Sequence, residues 1–288
     1  MESYVDYVSL LSRTFAAAEK ISPPQKASTA ADIIGKPDVG AKVPSPEVLV
    51  FSPHPDDECI TGLLPLRLMR ECGARITDIA VTLGSKLSRR AERKAELQSA
   101  CAYLGWGMHV CGGGSGFDNV RLQTRADDPA QWAKFVGEIS DFLQTRKPAA
   151  IFAPHFDDWN GTHIGTAYLV ADAVEKSGYT GTVFQTEYWG GLKEGNLMVE
   201  GSPEYIAAQM GALALHAKEV ERNDYHLRLP AWQIDNVRRG AEIVGGQGAQ
   251  APRFAFATLY NAVKFRNGKW RQAFARKFLS LSEKPAVF

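Results

Sequence analysis

Two short stretches of this chain concentrate side chains able to hold a cation and move a proton. One is Pro53-His54-Pro55-Asp56-Asp57-Glu58, and the other is His155-Phe156-Asp157-Asp158-Trp159-Asn160-Gly161-Thr162-His163. A histidine close to three consecutive carboxylates is costly to bury unless something offsets the charge. A divalent cation does so, because imidazole nitrogen and carboxylate oxygen are its usual ligands. His54 and Asp57 stand three apart across a turn, so both can converge on one ion while Asp56 points elsewhere. A free carboxylate beside a metal-bound water is what a general base requires, and the metal brings that water's pKa down to about 7. His163 could complete the ligand set. Two histidines and one carboxylate, with a position open for water, have the composition of a catalytic zinc centre.

Such side chains work together only if the fold presents them at one place. Val48-Leu49-Val50-Phe51 and Ala149-Ala150-Ile151-Phe152-Ala153 are apolar runs that read as buried strands, each followed by a proline, a polar cluster and a helical segment. Pro55 cannot lie within a central strand and marks where the first one stops. From Glu47 onward strands are expected at Glu47–Pro53, Ile76–Leu83, Met108–Cys111, Ala149–Ala153 and Thr182–Tyr188. Helices are expected at Glu58–Cys72, Arg89–Leu104, Pro129–Arg146, Ile164–Ser177 and Pro203–Tyr225. This alternation implies βαβ units, hence an α/β fold with a mostly parallel sheet covered by helices on both faces. Right-handed crossovers put the strands' carboxyl ends on one rim, where open α/β sheets build their ligand crevices.

The ends of the chain read differently. Tyr4–Ala18 has the apolar spacing of a short amphipathic helix, and Ile21–Pro46 reads as an extended connector. Beyond Tyr225, Glu242–Gly248 looks like a loop-like turn and Phe254–Phe265 like a strand or hairpin. The expected organisation is an N-terminal helix and linker over residues 1–46 and one α/β domain over residues 47–288.

Composition narrows the partners. With 45% hydrophobic and 23% charged residues and a net charge of +1, the chain has no bulk signature of nucleic-acid or membrane-surface binding. No apolar stretch approaches the roughly 18 residues of a membrane span. The first residues lack a secretory pattern, and Cys59, Cys72, Cys101 and Cys111 form no CxxC pair, so a cytoplasmic protein with reduced thiols is expected. Asp118, after the third strand, sits on the expected rim where it could hydrogen-bond a sugar hydroxyl. Trp159, Trp189 and Tyr188 could stack on sugar faces or simply pack. Asp157 and Asp158 are open between orienting a ligand histidine and being solvated loop acids. The run Gly112-Gly113-Gly114-Ser115-Gly116 lacks the lysine of a phosphate-binding loop and opens no helix in the dinucleotide pattern.

The string Pro53-His54-Pro55-Asp56-Asp57-Glu58, with Thr162-His163 and Thr166 further on, resembles the LmbE/PIG-L family of metal-dependent N-deacetylases. Arg93-Lys94-Ala95-Glu96 and Leu104-Gly105 resemble that family's Arg-x-x-Glu helix and its ending. The resemblance covers roughly Glu47 to Val170. It implies a Rossmann-like fold and removal of acetyl groups from N-acetylglucosamine-containing substrates. It also implies His54, Asp57 and His163 as metal ligands, Asp56 as general base and Arg93 as a substrate contact. One departure stands out: where the family commonly reads His-Pro-Asp-His, this chain has Asn160-Gly161-Thr162-His163. An asparagine amide can donate to an oxyanion but cannot act as a general acid. Proton delivery then falls to Asp56, His155, His216 or His226.

The expected activity is therefore a zinc-dependent N-deacetylase, with iron or another divalent metal as the alternative ion, acting on a small amino-sugar substrate. A homo-oligomer is left open. Two rivals remain: a metal-binding but catalytically weak carbohydrate-binding protein, and a nucleotide-binding Rossmann protein using the glycine run.

Overall fold

Val48, Leu49, Val50 and Phe51 are all fully buried, as a strand covered on both faces requires. They form the centre of β1 in the computed structural model, which describes residues 3–37 and 45–285. In chain order, α1 (Tyr4–Ala18) and the single-turn α2 (Ala31–Ile34) precede β1 (Glu47–Ser52), α3 (Asp57–Ile60), α4 (Leu63–Cys72) and β2 (Arg75–Ala80). Next come α5 (Arg90–Leu104), β3 (Gly107–Val110), the turn α6 (Cys111–Gly114), α7 (Leu122–Asp127), α8 (Pro129–Arg146), β4 (Ala150–Pro154), α9 (Gly161–Ser177) and β5 (Thr182–Thr186). The remainder adds β6 (Leu197–Gly201), α10 (Pro203–Ala214), α11 (Ala217–Arg222), α12 (Tyr225–Gly245), β7 (Phe256–Arg266), β8 (Lys269–Gln272) and β9 (Lys277–Leu279).

The sheet runs β3-β2-β1-β4-β5-β7-β6-β9, with β8 paired to β7. Strands β1 to β5 pair in parallel, and β7 runs antiparallel to β5 and β6. Residues of β1 alternate between two apolar cores. Val48 and Val50 join one with Leu97 and Leu213, while Leu49 and Phe51 join the other with Ile139 and Val170. Helices therefore cover both faces, as the alternation predicts. Strands β1 and β4 are direct neighbours, with Val48 opposite Ala150, so the two polar clusters leave the sheet side by side.

Four expectations need correction. The helix expected over Glu58–Cys72 is broken at Gly62, whose φ of +104° and contact with the Tyr260 hydroxyl exclude a side chain there. The break frees Leu63 and Leu64 N–H groups to donate to Thr258 Oγ1 and Tyr260 Oη, at 3.2 and 3.1 Å. The helix expected over Pro203–Tyr225 is two helices, α10 and α11, with α12 following them. Glu242–Gly245, read as a loop, is the last turn of α12. That helix buries the polar Gln233 and Asn236 among few apolar side chains (Leu229, Val237, Ala241, Val244), which hid its periodicity. In the N-terminal region the connector is not wholly extended. It contains α2, and Ala30 before it is fully buried, its N–H donating to Tyr103 O at 2.8 Å. Part of the expected connector, residues 38–44, lies outside the described residues. Helix α1 buries none of its residues.

Candidate active site

The turn after β1 places its groups by backbone restraint. The His54 N–H donates to Asp57 Oδ2 at 2.8 Å, and the Asp56 N–H donates to Glu58 Oε2 at 2.8 Å. Asp56 adopts φ 117° and ψ −28°, a conformation that strains an L-residue by roughly 1–3 kcal/mol and recurs at functional sites. Glu58, which holds that backbone, is itself buried against His216 Nε2 at 2.6 Å. The turn after β4 leads into α9, whose N-cap is Asn160; its Oδ1 accepts the Thr162 N–H at 2.8 Å. Capping sets the first turn of α9, and His163 lies fully buried within it.

The two turns bring His54, Asp57 and His163 together. Asp57 Oδ2 lies 3.3 Å from His54 Nδ1 and 3.2 Å from His163 Nε2, and the two nitrogens are 3.2 Å apart. A tetrahedral ion with bonds of about 2.0–2.1 Å has neighbouring donors about 3.3 Å apart. The donor set and its spacing therefore fit a divalent metal such as zinc. Among the described residues these three also form one of the groups whose ligand atoms cluster closely enough for an ion.

The surrounding groups orient the candidate ligands and make the pocket anionic. The other nitrogen of His163 faces Asp158 Oδ1 at 3.3 Å, with both side chains fully buried. Asp158 is anchored in turn: Oδ1 accepts the Asn160 N–H at 2.8 Å, and Oδ2 accepts the Trp189 and Gly190 N–H groups at 3.1 Å each. A carboxylate behind a ligand histidine fixes its ring and tautomer. Burial opposes charge on His163, but Asp57 and Asp158 outweigh it and push its pKa up to about 10. Burial likewise opposes ionisation of Asp57, yet the two histidines hold its carboxyl well below the usual range. Such an anionic pocket attracts a cation.

Asp56 is pushed the other way. Burial and the neighbouring Asp57 raise its pKa to about 7, against the pull of His216, Arg93 and Tyr225. Tyr225 Oη donates to Asp56 Oδ2 at 2.6 Å, while Arg93 Nη2 stands 3.6 Å from Oδ1 and donates to Pro55 O at 2.9 Å. A carboxyl poised near neutrality is suited to accept and return a proton.

The other sequence candidates sort as follows. Arg93, Asp118 and Asn160 line a pocket of about 280 Å³ that borders His54. Asp118 pairs with Arg90 and is otherwise largely exposed. Asp157 is exposed and faces Lys193, so of the two neighbouring acids Asp158 alone supports the ligand. Trp159 is 81% exposed, Trp189 is partly exposed beside Tyr225, and Tyr188 is buried with its edge against the His163 ring. His155 uses both nitrogens on backbone: Nε2 meets Gly190 O at 2.7 Å and Nδ1 accepts the Asp157 N–H at 3.2 Å. The glycine run makes a tight turn in which the Gly112 N–H donates to Glu138. Tyr225 went unnoticed in the sequence. It stands at the start of α12, 169 positions from Asp56, and no local pattern marks it.

Comparison with known proteins agrees with this geometry. Residues 49–174 match the family described as PIG-L, GlcNAc-PI de-N-acetylase. The match takes in less than half of the chain, and over that segment the chain is similar to the LmbE/PIG-L family. Solved structures of the same fold include N,N'-diacetylchitobiose deacetylase from Pyrococcus horikoshii, at 14% identity over 76% of this chain and 84% of that one, with a TM-score of 0.56. The hydratase GalB from Pseudomonas putida KT2440 matches at 17% identity over 77% and 97%, with a TM-score of 0.55. The A40926 pseudoaglycone deacetylase Dbv21 matches at 16% identity over 76% and 98%, with a TM-score of 0.54. No curated protein matches by sequence. The matched PIG-L segment contains all three metal-type ligands, whereas Tyr225 lies beyond it. No described helix is long and apolar enough to cross a membrane.

Proposed function

We propose that this chain, with its PIG-L-like segment, is a divalent-metal-dependent hydrolase that removes the N-acetyl group from an N-acetylglucosamine-type amino sugar or its conjugate. The observation that carries this reading is the convergence of His54, Asp57 and His163 to 3.2–3.3 Å beside a buried Asp56. A divalent ion held by those three residues, zinc or iron, would polarise the acetyl carbonyl and make water acidic enough to attack near neutral pH.

The chain's own groups do the rest. Asp56 takes the proton of the attacking water at Oδ1, because Oδ2 is engaged by Tyr225. As the carbon–nitrogen bond breaks, Asp56 returns that proton to the leaving nitrogen, giving acetate and a free amine. His155 is unsuited to that step because both its nitrogens are held by backbone. His216 is unsuited because it is buried against Glu58. His226 lines a cavity with Ile21 and Met210. Asn160 Oδ1 caps α9, which leaves its Nδ2 to donate to the oxyanion.

The likeness to a hydratase means that fold alone does not fix the reaction, so the product must be measured. Metal content and acetate release from N-acetylglucosamine derivatives test the proposal together. Bound metal with acetate release supports it; bound metal with no acetate across neutral and charged derivatives favours a carbohydrate-binding protein.

A further inference from the structure

We propose that His109, Cys111 and Glu138 form a second cation site, taking a thiol-seeking divalent ion such as zinc, and that this ion braces the glycine run Gly112–Gly116. The site lies apart from His54, Asp57 and His163 and does not depend on the deacetylase reading.

Strand β3 is the edge of the sheet, so solvent reaches its open side. His109 in that strand and Cys111 just after it are two positions apart, the spacing that puts side chains on one face. Helix α8 covers this face with two side chains one turn apart. The Phe142 ring packs 4.7 Å from the His109 ring, and Glu138 Oε1 lies 4.0 Å from His109 Nε2. That oxygen also accepts the Gly112 N–H at 2.9 Å, which holds the carboxylate against the residue that follows Cys111.

One ligand atom from each of His109, Cys111 and Glu138 lies within 4.8 Å of the other two. Zinc bonded to sulfur, nitrogen and oxygen needs donors about 3.3–3.6 Å apart, so shifts of about 1 Å close the group on an ion. His109 and Glu138, with side chains 40% and 36% exposed, are free to make those shifts, while burial fixes Cys111. Burial and then Glu138 push the Cys111 thiol up, so it stays protonated until a cation displaces the proton. A thiolate makes this site softer than the one at His54, which favours zinc over magnesium or calcium. Glu58, Cys59 and His216 form another close group, but all three are sealed from solvent and Glu58 is engaged by the Asp56 N–H and by His216.

The position gives the ion its role. Gly112, Gly113 and Gly114 all turn through positive φ, where glycine backbone has the most freedom to lose. The far end of the run is pinned, since the Phe117 N–H donates to Val81 O at 2.8 Å. Phe117 and the residues after it line the pocket that borders His54. An ion joining Cys111 to α8 pins the near end.

The test titrates the metal-free, reduced whole chain with cobalt(II), which replaces zinc and reports a thiolate ligand by a charge-transfer absorption band. Wild type should bind two ions, one of them with the band. The double variant His54→Ala/His163→Ala should bind one ion and keep the band. Cys111→Ser should lose it. Glu138→Gln, at a half-exposed position where the amide oxygen can still accept the Gly112 N–H, should weaken the banded ion by about a hundredfold or more, and so should His109→Gln. No band in wild type, a band that survives Cys111→Ser, or unchanged affinity in both Glu138→Gln and His109→Gln overturns the site. In the double variant, zinc should slow amide hydrogen exchange across residues 112–116. Exchange there unchanged by bound zinc overturns the bracing role.

Discussion

The turns after β1 and β4 share one plan in sequence, an apolar strand and a proline followed by a polar cluster and a helix, on neighbouring strands. In the first, His54, Asp56 and Asp57 cluster at the candidate site, and the backbone at Asp56 is held at φ 117°. In the second, only His163 joins them. His155, Asp158 and Asn160 direct their hydrogen bonds to backbone groups of the loops and of α9. Similar composition therefore conceals a difference in construction: one turn gathers His54, Asp56 and Asp57 on a strained backbone, and the other is a braced platform that presents a single histidine.

That contrast can be broken by mutation. The largest effect is expected from His54→Ala and His163→Ala, one from each turn: both should lose bound metal and turnover, as metal analysis beside an acetate assay would show. Asp158→Ala should loosen both His163 and the loop backbone that Asp158 anchors, weakening metal affinity by about 10–100-fold, read by competition with a chelator. Retention of full affinity would mean that the platform does not orient its ligand. Tyr225→Phe should lower kcat by about tenfold with KM and metal content little changed, since one hydrogen bond to Asp56 is removed. The smallest effect on chemistry is expected at the platform's own histidine. His155→Ala should reduce unfolding stability by about 1–3 kcal/mol, while the metal-loaded folded fraction keeps its turnover.

The pH profile sharpens the same comparison. Asp56 must be ionised to accept a proton, so kcat/KM should be lost as pH falls through its pKa. Burial places that pKa near 7 without a cation, and a neighbouring cation favours the ionised form and lowers it. The acid limb should therefore lie at or below about pH 7, and Tyr225→Phe should move it upward by removing a bond to the ionised form.

How much was legible beforehand follows the same division. The strands bearing the clusters announce themselves because β1 and β4 are buried on both faces and so are apolar throughout. The group that could hold an ion is legible because His54 and Asp57 are local to one turn and His163 opens a helix. What stayed hidden depends on distance or on mixed surfaces. Tyr225 reaches Asp56 from α12, and the break at Gly62 exists because Thr258 and Tyr260 of β7 cap α4. Strand β6 is five residues ending in glycine, too short to stand out between loop and helix. Asp157 and Asp158 are indistinguishable by type, and only the fold buries one and exposes the other.

The most direct test of the central claim, that the first turn separates binding from reaction, is to measure metal content and acetate release together in Asp56→Ala. The expected result is metal bound as in the wild type, with turnover reduced by about 10²–10⁴-fold or more. Near-wild-type turnover with metal in place would contradict the claim and remove Asp56 from the reaction.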